Sequence, residues 1–186
     1  KSFKTLKLLY VGTLEGRHIE QTVEGLSIFL KLHPEANITY DIIGEGFNDT
    51  SEKLQILVDR LGLTGVIKVH GRKPYSELKP FFDKCNVGIS YVPITPWFDH
   101  QPPTKTFEYI MSGLYCLATK TSENAKIVLP EGGFLHIDTP DGFADALKGV
   151  YGKRHVLESN VIRKSLTGYS WPEIVNNYLE PIIESL

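Results

Sequence analysis

The sequence predicts an α/β domain: a doubly wound, mostly parallel six-stranded sheet with helices on both faces. Three observations predict it. Short apolar runs alternate strictly with helical patterns along the chain. The strand runs are continuously apolar, as expected of strands buried on both faces. Glycines or other turn residues follow the runs directly, as in Val11-Gly12, Ile43-Gly44-Glu45-Gly46 and His70-Gly71.

Leu6 to Val11 reads as the first strand, closed by Gly12. Ile19, Val23, Leu26 and Leu30 then form one helical stripe ending near His33-Pro34. Ile38 to Ile43 is the second strand, and Leu54, Leu57, Val58 and Leu61 mark a second helix stopped by Gly62. Val66 to Val69 is the third strand, Leu78, Phe81, Phe82 and Cys85 a third helix, and Val87 to Val92 the fourth strand. Phe107, Ile110, Met111 and Leu114 give one apolar face of a fourth helix. A strand at Tyr115 to Thr119, a short helix near Glu123 to Leu129 and a last strand at Phe134 to Ile137 follow. Phe143, Leu147 and Val150 stripe a further helix, and Val156 to Leu166 has room for another. Ser170-Trp171-Pro172-Glu173 has capping-box spacing before a closing helix, residues 170–186, striped by Ile174, Tyr178, Ile182 and Leu186.

A chain of 186 residues carries one domain of ordinary core size. Net charge is −2, which points to neither nucleic acid nor an anionic membrane as partner, and no apolar run is long enough to span a bilayer. Cys85 and Cys116 lack metal-ligand spacing and read as buried thiols of a reducing compartment, with a disulfide as the alternative. The chain starts at Lys1 with a strand close behind, so it reads as a piece of something longer.

In doubly wound sheets, ligands bind beyond the carboxyl ends of the strands, at the switch in strand order. Gly12, Gly44, Gly46 and Gly71 all open toward that edge, and Arg17, Arg72, Lys73 and Lys105 belong to segments starting there. Small residues with several cations suit a diphosphate. Gln101 to Gly113 is the most informative stretch. Pro103 is set for a first helical turn, Lys105 reinforces the positive end of the helix, and Gly113 ends it. A carboxylate one turn on, Glu108, can accept both hydroxyls of a ribose. The plainer alternative is a solvated Lys105–Glu108 pair, worth about 0.2–0.5 kcal/mol.

Other patterns carry less. Gly44-Glu45-Gly46 is too short for a dinucleotide fingerprint, with Asp49 where a third glycine belongs. His18, His70, His100 and His136 are scattered, and no Asp-x-Asp pair stands ready for a divalent cation, so no metal is expected. Trp97-Phe98 serves either loop packing or a sugar or partner surface.

Taken in order, these pieces resemble the C-terminal, donor-binding half of retaining GT-B glycosyltransferases, of the glycosyl transferases group 1 family. The pieces are Tyr10-Val11-Gly12, Ile42 to Gly46, Val69 to Arg72, Asn86 to Ile89, Pro103 to Gly113 and Tyr169-Ser170-Trp171. The resemblance covers almost the whole chain and implies a Rossmann-like half of a GT-B fold. It implies a donor nucleotide site of Gly12, Thr13, Gly44, Gly71, Arg72, Leu78, Thr104, Lys105 and Glu108. Lys105 and Arg17 would stabilise the departing diphosphate, and Glu108 matches the second glutamate of a Glu-x7-Glu motif that binds the ribose. Tyr91 and Val92 would lie where the fourth strand enters the pocket.

The pattern departs at two positions. Thr13 stands where the family usually has arginine, and His100 stands at the first glutamate, which contacts the transferred sugar. Asp99, His100 and Pro103 are therefore assigned to the donor sugar.

The resemblance further implies metal-independent, retaining hexosyl transfer from a UDP- or GDP-linked sugar, without cofactor, to a glycan or lipid-linked acceptor. The acceptor-binding N-terminal domain would lie outside this chain, which alone would bind donor without turnover. A cytoplasmic, bacterial polysaccharide enzyme is implied, with peripheral association at the inner membrane face. Two other readings share the fold. One is a nucleotide-sugar epimerase or non-catalytic nucleotide-sugar-binding module. The other is a Rossmann-type oxidoreductase, disfavoured because Gly-x-Gly-x-x-Gly is missing after the first strand.

Overall fold

The computed structural model describes residues 1–47 and 49–185. Six strands form one sheet: β1 (Leu6–Val11), β2 (Ile38–Ile43), β3 (Ile67–Val69), β4 (Val87–Ser90), β5 (Tyr115–Thr119) and β6 (Gly133–His136). Their order is β3-β2-β1-β4-β5-β6, and every neighbouring pair is parallel. The chain runs outward from β1 to β3, crosses back, and runs outward again from β4. The switch point therefore lies between β1 and β4.

The helices are α1 (Glu20–Leu32), α2 (Thr50–Arg60), α3 (Lys79–Lys84), α4 (Thr104–Met111), α5 (Ser122–Ile127), α6 (Pro140–Lys153) and α7 (Ser159–Lys164). α1 packs against α6 and α2 on one face of the sheet, while α4 covers β4 and β5 on the other and meets α5 and α7. The centre of the sheet is dry. Leu8, Leu9, Tyr10, Ile42, Ile89 and Leu117 are all fully buried.

The structure corrects several sequence-based boundaries. β3 begins at Ile67, one residue late, and β4 ends at Ser90, because the chain turns away there rather than continuing to Val92. β6 is displaced by one residue, to Gly133–His136. The third helix is broken, with a 3₁₀ turn (Tyr75–Glu77) before the short α3; Pro80 at the start of α3 has no N–H to extend the preceding turn.

The final helix also differs. Its Ser170 cap forms, with the Ser170 hydroxyl accepting from the Glu173 N–H at 3.4 Å. Beyond it, α8 (Trp171–Ile174), a π-helical segment (Val175–Leu179) and α9 (Glu180–Glu184) follow one another. Tyr178 and Ile182 of the expected apolar stripe are exposed, and Leu186 lies outside the described residues. This segment does not close over the domain core.

On α4 the buried face is not the fully apolar one. Thr106, Tyr109 and Ile110 face the sheet, whereas Met111 is 39% exposed. Gly88 of β4 makes this possible, since a Cβ there would fall 2.2 Å from the Tyr109 ring. Thr106 Oγ1 sits 2.7 Å from both Ser90 Oγ and Asn124 Oδ1, which satisfies its buried hydroxyl.

Candidate nucleotide-binding site

The site is built where β1 ends and α4 begins. Gly12 leaves β1 with φ 153°, and a Cβ on it would lie 2.8 Å from Lys105 Nζ. The missing side chain is the space the ammonium occupies. From there Lys105 Nζ lies 4.3 Å from the centre of the Tyr10 ring, a cation–π contact. No carboxylate lies within ion-pair distance of it among the described residues. Burial, with repulsion from Arg17 added, pushes Lys105 down to about 7. Lys105 is thus an amine held at the switch point without a counter-ion, where a bound anion would favour its charged form. The solvated Lys105–Glu108 pair considered from sequence does not form.

Arg17 stands beside it. Its guanidinium carbon is 4.3 Å from the centre of the Phe98 ring, and its Nη1 is buried with no hydrogen-bond partner among the described residues. A buried N–H donor left unpaired is costly, and an anion between Arg17 and Lys105 would satisfy it. A small pocket of about 100 Å³ lies between these cations, lined also by Ser90, Pro103 and Thr104. Thr104 and Thr106 donate their N–H groups to the carbonyls of Pro102 and Pro103, so the two prolines shape the first turn of α4.

Two larger pockets lie at the strand ends and beside α4. One, of about 570 Å³, carries Gly12, Thr13, Gly44, Arg72 and Lys73 at the ends of β1 to β3. The other, of about 650 Å³, is lined by Glu108, Leu78, Phe82, Met111 and Tyr75. Enclosure by that pocket wall raises the Glu108 carboxyl above its usual range, with Lys105 acting in the opposite direction. Arg17, Pro103, Thr104 and Lys105 therefore share the central pocket, Gly12, Thr13, Gly44 and Arg72 the second, and Leu78 and Glu108 the third. Lys105 and Gly12 join the first two. Gly71 turns the chain into the second with φ 66°.

Asp99 is engaged elsewhere. Its carboxylate accepts from both the backbone N–H (2.8 Å) and the hydroxyl of Ser122, the first residue of α5, and these bonds hold the carboxyl below its usual range. His100 is exposed, with Nε2 3.7 Å from Asp99. Of the two aromatics, Phe98 packs under the Arg17 guanidinium, whereas Trp97 is 79% exposed.

Sequence reasoning missed Tyr10 and Tyr109 as parts of the site. Tyr10 is a fully buried strand residue and carried no signal beyond its place before Gly12. Among the described residues, no group of three His, Cys, Asp or Glu side chains is placed to hold a metal ion. No described helix is long and apolar enough to cross a membrane.

A Rossmann-like parallel sheet of this order is the fold of GT-B glycosyltransferases, and solved structures match it over nearly the whole chain. The pneumococcal O-GlcNAc transferase GtfA, solved with UDP and GlcNAc, matches 98% of this chain at TM-score 0.74 and 18% identity. HepE from Anabaena, solved with UDP and glucose, matches 98% at TM-score 0.77 and 14% identity. The chain spans 36% and 49% of those two structures. It spans 86% of the C-terminal domain of LpcC, a glycosyl transferase group 1 family protein from Francisella tularensis, at TM-score 0.62 and 18% identity. No curated protein sequence matches the chain. Its own sequence places the family. Residues 5–153 match the profile of glycosyl transferases group 1, and the chain belongs to that family.

Proposed function

We propose that this chain is the donor-binding module of a glycosyltransferase that takes a UDP- or GDP-linked hexose. The observation that carries the reading is the unpaired Lys105 ammonium beside Gly12, facing Arg17 across a small pocket at the switch point. Lys105, Arg17 and the Thr104 backbone would hold the diphosphate. Glu108 would accept the ribose hydroxyls, with the base extending toward Leu78. UDP in the GtfA and HepE structures supports a nucleotide at this fold.

The chemistry asked of these residues is charge stabilisation. As the bond from the anomeric carbon to the diphosphate breaks, negative charge builds on the leaving oxygen, and a pre-placed ammonium and guanidinium stabilise it. This requires no proton transfer and no divalent cation. Transfer with retention to a glycan or lipid-linked acceptor completes the reading. The acceptor and any general base would come from a domain outside this chain. Asp99, His100 and Pro103 would border the transferred sugar, with Asp99 acting through the position of its loop because Ser122 holds its carboxylate. A cytoplasmic enzyme working at the inner membrane face fits such an acceptor.

Calorimetric titration with UDP-, GDP- and ADP-sugars tests this, using wild type, Lys105→Ala and Glu108→Ala. One donor class should bind, and each variant should weaken it by about tenfold or more, the scale of a lost charge-assisted hydrogen bond. Binding of none, or variants indistinguishable from wild type, refutes the assignment.

A further inference from the structure

Asp41 is a carboxylate buried within the sheet, 3% exposed on β2. Its Oδ1 lies 2.7 Å from His70 Nε2 and its Oδ2 accepts from Lys84 Nζ at 2.9 Å. Burial alone would raise the carboxyl, but the bonds from Lys84 and His70 outweigh it and hold the group below its usual range. A charge in such a place is expensive, and removing one partner leaves it uncompensated.

The arrangement sits where the sheet is weakest. β3 is the edge strand and only three residues long. Past its end, the His70 N–H donates to the Ile42 carbonyl (2.9 Å) and Gly44 N–H to the Gly71 carbonyl (3.0 Å). The imidazole is gripped on its other side by Phe81, edge to face, with ring centres 5.0 Å apart. Immediately after this anchor the chain turns at Gly71 and delivers Arg72 and Lys73 to the pocket that Gly12 and Gly44 also line.

We infer that Asp41 and His70 are positioning residues, which fix the exit of β3 and so set where Arg72 meets the donor nucleotide. The inference rests on the donor-site reading above. His70 touches no ligand in this scheme; it acts through Arg72. Two charge-assisted bonds on one buried carboxylate do what three strand residues cannot, which is to hold a turn to within the tolerance that nucleotide recognition demands.

The test is a double-mutant cycle on the intact protein, read by calorimetry with UDP, GDP and ADP as probes. His70→Ala should weaken the bound nucleotide by about tenfold, the scale expected for a misplaced contact group. His70→Gln, whose amide can still donate to Asp41, should restore most of that affinity. His70→Ala combined with Arg72→Ala should bind no more weakly than Arg72→Ala alone, since one residue acts through the other. If His70→Ala does not fold, His70→Asn, too short to reach Asp41, takes its place in the cycle. Losses that simply add, or a His70 variant with wild-type affinity, overturn the positioning role and leave the donor site standing. A wild-type protein that binds none of the three nucleotides overturns both.

Discussion

The backbone N–H of Val11, at the end of β1, donates to the hydroxyl of Tyr109 on α4 at 2.8 Å. One hydrogen bond thus joins the strand that presents Gly12 to the helix that carries Lys105 and Glu108. Tyr109→Phe leaves that N–H without its partner while keeping the ring against Gly88. The variant should lose about 1 kcal/mol of stability, measured by urea denaturation, and weaken nucleotide binding as well. An unchanged midpoint with unchanged affinity would show that the bond holds nothing in register.

Lys105 disfavours the fold that contains it. Its ammonium titrates near 7 in the folded chain against 10.5 when unperturbed. Between those values the unfolded chain binds the extra proton, so wild-type stability falls as pH drops from about 10 to about 7 and is level below that. Lys105→Met should remove this slope and stabilise the free protein by about 1–2 kcal/mol at pH 7, while weakening donor binding by about tenfold or more. Thermal melts at pH 7 and pH 9 report it; a destabilised methionine variant contradicts the assignment.

The same group makes binding pH-dependent. A diphosphate favours the ammonium form, so binding above pH 7 should take up a proton. Affinity should fall as pH rises from 7 to 9, by at most about tenfold per unit. Titrations in buffers of different ionisation enthalpy would reveal the uptake. It should vanish in Lys105→Met, and uptake that persists there belongs to another residue.

Asp99→Ala removes the acceptor for both Ser122 bonds at the start of α5. Loss of these two bonds should cost about 1 kcal/mol, since Thr121 still caps the helix. Nucleoside diphosphate affinity should hold steady, because Asp99 is not among the residues proposed to hold the diphosphate and its carboxylate is taken by Ser122. A large loss of UDP or GDP affinity would mean that its loop shapes the Arg17 site through Phe98.

Much of the fold was legible in the sequence because the signals are local. The strands Leu6–Val11, Ile38–Ile43 and Tyr115–Thr119 coincide with their apolar runs. Strand ends at β3, β4 and β6 were less legible, since pairing partners and not propensity decide where a strand stops. The buried face of α4 was misjudged for a related reason. Thr106 and Tyr109 looked polar in isolation, yet Ser90, Asn124 and the Val11 N–H supply their hydrogen bonds. The final helix carried a convincing stripe, but a stripe specifies an apolar face and not what covers it.

By itself the sequence determined the α/β alternation, the glycines after the strands and the Lys105–Glu108 spacing, all of which are encoded within a few residues. Only the tertiary structure decided that β1 and β4 lie side by side, that Lys105 turns inward to Gly12 while Glu108 lines a separate pocket, and that Ser122 takes the Asp99 carboxylate. Those outcomes rest on contacts between segments far apart in the chain. There, a side chain's direction follows from the space and partners that other strands leave open, and no local pattern specifies these.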